Sequence, residues 1–164
     1  EKRKNMKKTE EKTNAVRILT QKKLHFRTHD YTESSAVSAV EVAQVLGQEP
    51  QRMFKTLVTE GRSGAHYVFL VPAPAELNLK KGAAVVGEKS IAMLKSKDLL
   101  PLTGYIHGGC SPVGMKKLFP TVIDKSAAQF DTILFSGGRI GLQVETGLDE
   151  LAKVIPFRLE DITE

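Results

Sequence analysis

The sequence is poor in the residues that stabilise small chains covalently: it contains one cysteine, Cys110, among 164 residues. A single cysteine cannot form a disulfide within the chain, and it cannot supply the ligands of a four-cysteine zinc site. This cysteine usage is typical of a protein kept in a reducing compartment. We therefore expect a cytoplasmic protein.

Long apolar runs are missing as well. Every apolar stretch falls far short of the roughly 20 residues that a membrane-spanning helix requires, and the charged N-terminal segment lacks the apolar centre of a signal peptide. Hydrophobic residues nevertheless make up 41% of the chain and charged residues 26%, which excludes a disordered or fibrous protein. A chain of this length can bury a core of its own, so we expect a single domain with no membrane association.

Charge is distributed unevenly along the chain. The formal net charge is +5, and residues 1–12 carry six basic and three acidic side chains, which leaves 18 basic and 16 acidic ones in residues 13–164. More than half of the net charge therefore lies in a short segment with one apolar residue, Met6. We expect residues 1–12 to form a disordered basic tail and residues 13–164 to form the domain. A solvated tail is favoured over a nucleic-acid-binding arm.

Periodicity and capping residues predict a mixed α/β (α+β) domain. The predicted helices cover residues 14–23, the segment from a cap at Ser34 or Ser35 to Gly47, and residues 79–86, 97–100 and 147–153. The predicted strands cover residues 25–31, 54–59, 67–71, 91–94, 121–124, 132–135, 141–145 and 154–158. Pro101 is expected to end the fourth helix. Hairpin spacing in some places and crossover spacing in others indicates a sheet of mixed strand direction.

Two glycine clusters, residues 104–114 and 136–141, are the first candidates for a binding site. Glycine lets backbone N–H groups approach a ligand oxygen closely, and successive free N–H groups form a cradle for an anion or oxyanion. Neither cluster has the spacing of a Walker A loop or of a dinucleotide-binding fingerprint. On spacing alone, ordinary turns are favoured over a binding site in both clusters.

Lys55 is a charged residue inside an apolar strand pattern. It follows Phe54 and precedes Leu57 and Val58. A lysine in such a place usually belongs to a strand edge and extends its ammonium group to solvent. If it lies half-buried beside a cleft, the ammonium group can hold a carbonyl or phosphate oxygen. The strand pattern favours the edge residue and leaves the functional role open.

Cys110 and His107 could in principle form a nucleophile and its base. Three residues apart in a glycine loop, their side chains are not directed at each other, and no third orienting residue is evident, so Cys110 is interpreted as a packing residue. His25 and His29 have the i, i+4 spacing of a helical metal site, but they fall on a strand pattern, which favours a structural or solvent-facing pair. We therefore expect a site with no metal and no cofactor.

Several of these motifs occur together in one known family. The features in question are, in chain order, His29-Asp30-Tyr31, Phe54-Lys55-Thr56-Leu57, Leu79-Lys80-Lys81, Gly104-Tyr105, the GGCSPVG run over 108–114, Pro120-Thr121-Val122-Ile123-Asp124 and Ser136-Gly137-Gly138. They cover roughly residues 14–162. With them the chain resembles the YbaK/EbsC-type aminoacyl-tRNA deacylases, a family that includes the editing domain of prolyl-tRNA synthetase. The combination of the GG-x-SP-x-G motif with the upstream strand Lys-Thr is fairly specific.

The resemblance implies a mostly antiparallel, barrel-like sheet flanked by helices, with a pocket for the aminoacyl-adenosine end of tRNA. It implies a catalytic role for Lys55, Gly108 and Gly109, in which the lysine orients the substrate and supplies positive charge. The substrate-binding positions that it implies are Tyr31, Thr56, Ser111, Ser136 and Gly137.

The resemblance also implies a reaction and partners. In the free-standing branch of the family, the thiol of the substrate's own cysteine is thought to attack the ester carbonyl, so the protein supplies no nucleophile. The expected function is removal of cysteine from mischarged Cys-tRNA(Pro), with Cys-tRNA(Cys) as a further candidate substrate. The expected partners are the mischarged tRNA and prolyl-tRNA synthetase, which would select the tRNA because one nearly neutral domain has little surface for reading it.

Two positions depart from the family's pattern. Cys110 stands where an aliphatic residue is usual, and Gln143 stands where an acid is expected. If that acid helps to select the amino acid, the alternative substrate is Ala-tRNA(Pro) or another small aminoacyl ester, cleaved by water. Two further alternatives are a non-catalytic module that binds tRNA ends or a synthetase, and an independent cysteine enzyme that uses Cys110.

Overall fold

A computed structural model describes residues 12–164 and divides them into five α-helices and eight β-strands. The helices are α1 (Asn14–Gln21), α2 (Ala39–Val45), α3 (Leu79–Val86), α4 (Ser96–Thr103) and α5 (Leu148–Leu151). The strands are β1 (Arg27–Asp30), β2 (Phe54–Gly61), β3 (His66–Pro72), β4 (Ile91–Met93), β5 (Thr121–Asp124), β6 (Ile133–Ser136), β7 (Leu142–Thr146) and β8 (Arg158–Glu160). The predicted disordered tail lies, except for Lys12, outside the described residues.

The strands form two sheets, and the predicted mixed α+β domain is confirmed. The first sheet has the order β1-β7-β6 and is antiparallel throughout. The second has the order β4-β2-β3-β5-β8, with antiparallel pairs around β2 and parallel pairs around β5. A parallel bridge between Met53 and Leu134 connects the two sheets where β2 begins beside β6. The sheets therefore approach a barrel along one edge and do not close into one.

The inner faces of the two sheets bury a shared core. Phe54 and Val58 of β2 lie in one apolar cluster with Phe135 of β6 and Val144 of β7. All four side chains are at most 4% exposed. Because side chains alternate between the faces of a strand, the same strands leave their other faces available for smaller clusters and for polar groups.

Four of the five predicted helices have different bounds in the structure, and α2 and α4 differ for identifiable reasons. Helix α2 begins after Ser38, whose hydroxyl accepts from the Glu41 N–H while the Glu41 carboxylate accepts from the Ser38 N–H. This reciprocal capping box satisfies two free donors, so it outcompetes the predicted caps Ser34 and Ser35. Helix α4 continues past Pro101 to Thr103. The N–H that Pro101 lacks would have bonded the carbonyl of Lys97, an exposed residue whose carbonyl can be hydrated.

The last strand also lies elsewhere than predicted. Residues 154–158 were expected to be extended, whereas β8 covers Arg158–Glu160. Ile155 is 4% exposed and packs in the main core beside Val154 and Phe157. These apolar residues produce a strand-like pattern because they fill the core after α5, although they pair with no strand in the described structure.

Within residues 12–164, no helix is both long and apolar enough to cross a membrane.

Candidate active site

A cavity of about 560 Å³ is lined by both sheets. Residues 54–58 of β2 form one wall, and Ser136 at the end of β6 and Gln143 of β7 contribute from the other sheet. The start of α2, the segment from β4 into α4 and the glycine loop around Gly108 complete the enclosure. The volume is in the range of small-molecule sites.

Lys55 brings a positive charge to this cavity. Its side chain is 27% exposed, and its Nζ lies 4.0 Å from Oε2 of Glu76, a side chain that is 79% exposed. So long and exposed an ion pair is worth little and holds the ammonium group only loosely. The sequence left two interpretations of Lys55, a solvent-facing strand-edge residue or a half-buried lysine beside a cleft, and the structure agrees with the second. Its charge can be directed at a bound oxygen.

Strand β2 also presents to the cavity a stretch of backbone edge that pairs with no strand among residues 12–164. Its neighbour β4 pairs only with Thr59–Gly61, and the Val58 carbonyl accepts the last bond on that side, from the Leu94 N–H at 3.0 Å. Backbone groups alternate sides along a strand, so the N–H and carbonyl of Thr56 face the same side as those of Val58. A backbone donor is thus available beside Lys55.

Two buried oxygens in the cavity wall have no hydrogen-bond partner among the described residues. They are Oγ1 of Thr56 and Oε1 of Gln143. Buried polar groups are nearly always paired, because an unpaired one costs about 1–3 kcal/mol. Their position in the wall of one cavity indicates a site that a polar ligand completes.

The two glycine clusters pack against each other beside this cavity. Gly108 has a φ of +86° and lines the cavity. A Cβ at Gly109 would lie 2.9 Å from the Cα of Arg139 in the second cluster. Only glycine allows this backbone-to-backbone contact, which fixes the loop that carries Gly108.

The beginning of α1 connects the same two clusters. Thr13 caps the helix, accepting from the Val16 N–H at 3.1 Å, and its hydroxyl donates to the carbonyl of Gly137. Asn14 donates through Nδ2 to the carbonyl of Gly114 at 2.8 Å. One helix end therefore anchors both loops, although they are distant in sequence.

Five of the eight predicted site residues line the cavity. They are Tyr31, Lys55, Thr56, Gly108 and Ser136. Three others lie outside the lining: Gly109, Ser111 and Gly137. Ser111 is fully buried and its Oγ accepts from the Val113 N–H at 3.2 Å, and Gly137 packs against Leu142. The catalytic and binding roles of all eight residues stay predictions.

Cys110 also lines the cavity, but its environment does not activate it. It is 7% exposed, and burial raises the pKa of its thiol to about 12, with Thr103 opposing the rise through a hydrogen bond. At neutral pH such a thiol stays protonated, whereas nucleophilic cysteines have a lowered pKa. His107 lies exposed at the cavity mouth. This environment agrees with the interpretation of Cys110 as a packing residue.

The two histidines with metal-site spacing, His25 and His29, have different surroundings in the structure. Nε2 of His29 lies 2.7 Å from Oε1 of Glu145, whereas His25 is exposed. Residues 12–164 contain no group of three or more His, Cys, Asp and Glu side chains arranged to hold a metal ion.

Two parts of the wall were not found from the sequence. Val37 and Ser38 before α2, Met93 at the end of β4 and Ser96 at the start of α4 line the cavity. No local pattern marks them, since they reach the site only through the packing of their elements. Gln143 could be noted only as a departure from a family pattern, and its unpaired oxygen is visible only in the fold.

Comparison with known proteins assigns the chain to a class. The model of the aminoacyl-tRNA editing domain matches residues 33–154. The chain belongs to this family, whose members edit aminoacyl-tRNA by deacylation. The resemblance found in the sequence is therefore confirmed.

Individual relatives refine the placement. The chain is 42% identical, over 158 residues and 96% of both chains, to EbsC of Enterococcus faecalis, which is described as a candidate Cys-tRNA(Pro)/Cys-tRNA(Cys) deacylase. It is 35% identical over 97 residues to the proline–tRNA ligase of Thermosipho melanesiensis, covering 59% of this chain and 17% of the ligase. A solved structure described as a candidate trans-editing enzyme for prolyl-tRNA synthetase superposes with a TM-score of 0.77 at 27% identity, covering 85% of this chain and 87% of that one.

Proposed function

We propose that this protein is a trans-editing deacylase that removes cysteine from mischarged Cys-tRNA(Pro), and that Cys-tRNA(Cys) is a further substrate. The observation that carries the proposal is the cavity itself. It combines the loosely paired ammonium group of Lys55 with oxygens of Thr56 and Gln143 that have no hydrogen-bond partner among the described residues. Similarity to EbsC along nearly the whole chain supports cysteine as the amino acid removed.

The proposed reaction uses the substrate's own thiol. Its sulfur attacks the ester carbonyl carbon, a C–S bond forms and the C–O bond to the terminal ribose breaks. The thiol proton passes to the leaving ribose oxygen, and the amino acid leaves as a cyclic thiolactone. The protein's task is then to hold thiol and carbonyl close together and to stabilise the negative charge that develops on the carbonyl oxygen.

The residues in the cavity suit that task. The Lys55 ammonium group and the Thr56 backbone N–H can both direct hydrogens at the carbonyl oxygen, and Gly108 keeps its backbone accessible. Cys110, with its raised pKa, stays a neutral neighbour. We propose that prolyl-tRNA synthetase is the partner that selects the tRNA, a view supported by the match to part of a proline–tRNA ligase.

Deacylation of Cys-tRNA(Pro), Ala-tRNA(Pro) and Pro-tRNA(Pro) tests the function. We expect the wild-type protein to deacylate the cysteinyl ester, and Lys55→Ala to lower kcat by about 10²–10³, the usual effect of removing an oxyanion donor. Lys89→Ala, at an exposed lysine outside the cavity lining, is the matched control and should keep wild-type activity.

The three esters separate the alternatives. Turnover of the alanyl ester alone would retain the family and exclude attack by a substrate thiol. No turnover of any ester, with prolyl-tRNA synthetase added, would contradict the enzymatic proposal and leave a module that binds tRNA ends or a synthetase.

A further inference from the structure

Gln143 lies on the polar face of the three-stranded sheet. On β7 it stands opposite His29 of β1 and Ser136 of β6, so the three side chains share one face. Gln143 is 7% exposed, and Gln143 and Ser136 both line the cavity. The fold thus places a buried primary amide in the wall of the site.

The neighbours of Gln143 on this face have hydrogen bonds of their own. Nε2 of His29 lies 2.7 Å from Oε1 of Glu145, and Oγ of Ser136 accepts from the Gly138 N–H at 3.1 Å. No hydrogen bond joins either of them to the Gln143 amide, and its Oε1 is buried without a partner in the described part of the chain. A buried amide left in this state destabilises the free protein, so its position calls for a ligand.

The other polar groups in the cavity wall restrict which ligand group can bind to the Gln143 oxygen. Lys55 offers donors only, and the carboxylate of Glu41 accepts from the N–H groups of Val37 and Ser38 at 3.0 Å each. That carboxylate is occupied in capping α2. Among the described residues of the wall, the Gln143 oxygen is therefore a buried acceptor that no protein group uses.

An aminoacyl ester has one group that complements Lys55 and another that complements Gln143. Its carbonyl oxygen only accepts, which suits Lys55, and its α-amino group donates, which suits an amide oxygen. A neutral amide oxygen accepts a hydrogen bond from an amine as well as from an ammonium group. It therefore still binds the α-amino group if the positive charge of Lys55 lowers the pKa of that group and the group loses its proton.

We propose that Oε1 of Gln143 accepts a hydrogen bond from the α-amino group of the bound aminoacyl ester and thereby selects amino acids over deamino acyl groups. This inference rests on the proposed function. It assigns Gln143 to substrate recognition and leaves the choice of amino acid side chain to the rest of the cavity.

Binding of two non-cleavable probes tests the proposal independently of turnover. The probes are 3′-cysteinylamino-3′-deoxyadenosine, in which an amide replaces the ester, and the 3-mercaptopropionyl analogue, which lacks only the α-amino group. We expect the wild-type protein to bind the cysteinyl probe about tenfold or more tightly in calorimetry. Gln143→Met, close in shape but without an acceptor of similar strength, should abolish this preference.

Two further variants serve as controls in the same binding experiment. Gln143→Glu keeps an acceptor at the same place and should retain the preference. Gln129→Met, the same substitution at an exposed position, should behave as wild type. The melting temperature of unliganded Gln143→Met should not fall, because the substitution removes a buried polar group that has no partner.

The possible results are distinct. Equal weakening of both probes by Gln143→Met would mean that the amide contacts the carbonyl or the ribose, and would overturn the proposal. Unchanged binding, or a lowered melting temperature of the unliganded variant, would also overturn it by indicating a structural amide. Loss of the probe preference in Gln143→Met would support the inference even if no aminoacyl-tRNA were deacylated, a result that would count against the proposed function alone.

Discussion

Cys110 illustrates how surroundings decide the chemistry of one residue. The loop sequence places it near His107, but the fold buries the thiol and raises its pKa to about 12. A thiol in that state contributes packing and no nucleophile.

The corresponding prediction concerns Cys110→Ser. We expect turnover of Cys-tRNA(Pro) to stay within a few-fold of wild type, because the substrate supplies its own sulfur. Stability should fall by about 1–2 kcal/mol, because a hydroxyl is more costly to bury than a thiol. Steady-state deacylation and urea unfolding measure the two quantities. Loss of activity by about 10⁴ or more in a folded variant would identify Cys110 as a nucleophile after all.

At the scale of elements, the site depends on loops held by close backbone packing. The contact between Gly109 and Arg139 joins the two glycine clusters, and Gly108 lies next to it in the cavity wall. Neither cluster alone contains the information that they meet.

We therefore expect Gly109→Ala to damage both stability and function. Its Cβ would lie 2.9 Å from the Cα and 3.0 Å from the carbonyl carbon of Arg139, so backbone must move at a cost of about 1–3 kcal/mol. Displacement of Gly108 should lower kcat/KM for Cys-tRNA(Pro) about tenfold or more.

Gly47→Ala is the comparison variant, because Gly47 has a φ of +67° and open space around it. It should lose about 1 kcal/mol through backbone strain and keep its kcat/KM. Wild-type kcat/KM in Gly109→Ala would show that the loop contact does not position Gly108. Thermal unfolding and steady-state kinetics provide both readouts.

At the scale of the whole molecule, a polar network connects the two sheets near the bridge between Met53 and Leu134. Arg52, just before β2, donates to Glu145 of β7 at 3.1 Å, and Thr132 before β6 donates to the same carboxylate oxygen at 2.7 Å. Burial alone would raise the pKa of Glu145, but hydrogen bonds from Thr132, His29 and Arg52, together with the charge of Arg52, outweigh it and leave the pKa lowered.

Because the folded-state pKa of Glu145 is lowered, its ionised form stabilises the fold at pH values above the ordinary 4.5. This contribution is lost as the pH falls from 4.5 through the lowered folded-state pKa. We expect Glu145→Gln to reduce the free energy of unfolding by about 1–3 kcal/mol near neutral pH. The difference from wild type should shrink on acidification below 4.5.

Urea unfolding across that pH range tests the network, with Glu33→Gln at an exposed position as the control. The control should remain near wild type at every pH. A stability loss in Glu145→Gln that does not change with pH would mean that the carboxylate acts by packing and not by its charge.

Sequence alone determined the composition class, the mixed α+β architecture, most of the strands and the family. Local signals suffice for these, because alternation, caps and glycine motifs lie within short windows. They failed at the predicted strand 154–158 and at Pro101, where core packing and an exposed carbonyl decide the conformation.

The tertiary structure decided how the candidate site is built. It showed that Lys55 is half-buried beside a cavity, that Gly108 lines this cavity while Gly109 packs behind it, and that burial raises the pKa of the Cys110 thiol. It also showed that Oε1 of Gln143 is buried without a hydrogen-bond partner among residues 12–164, which the sequence does not reveal. Burial and hydrogen-bond pairing depend on residues that are distant in the chain, so no local pattern of the sequence contains them.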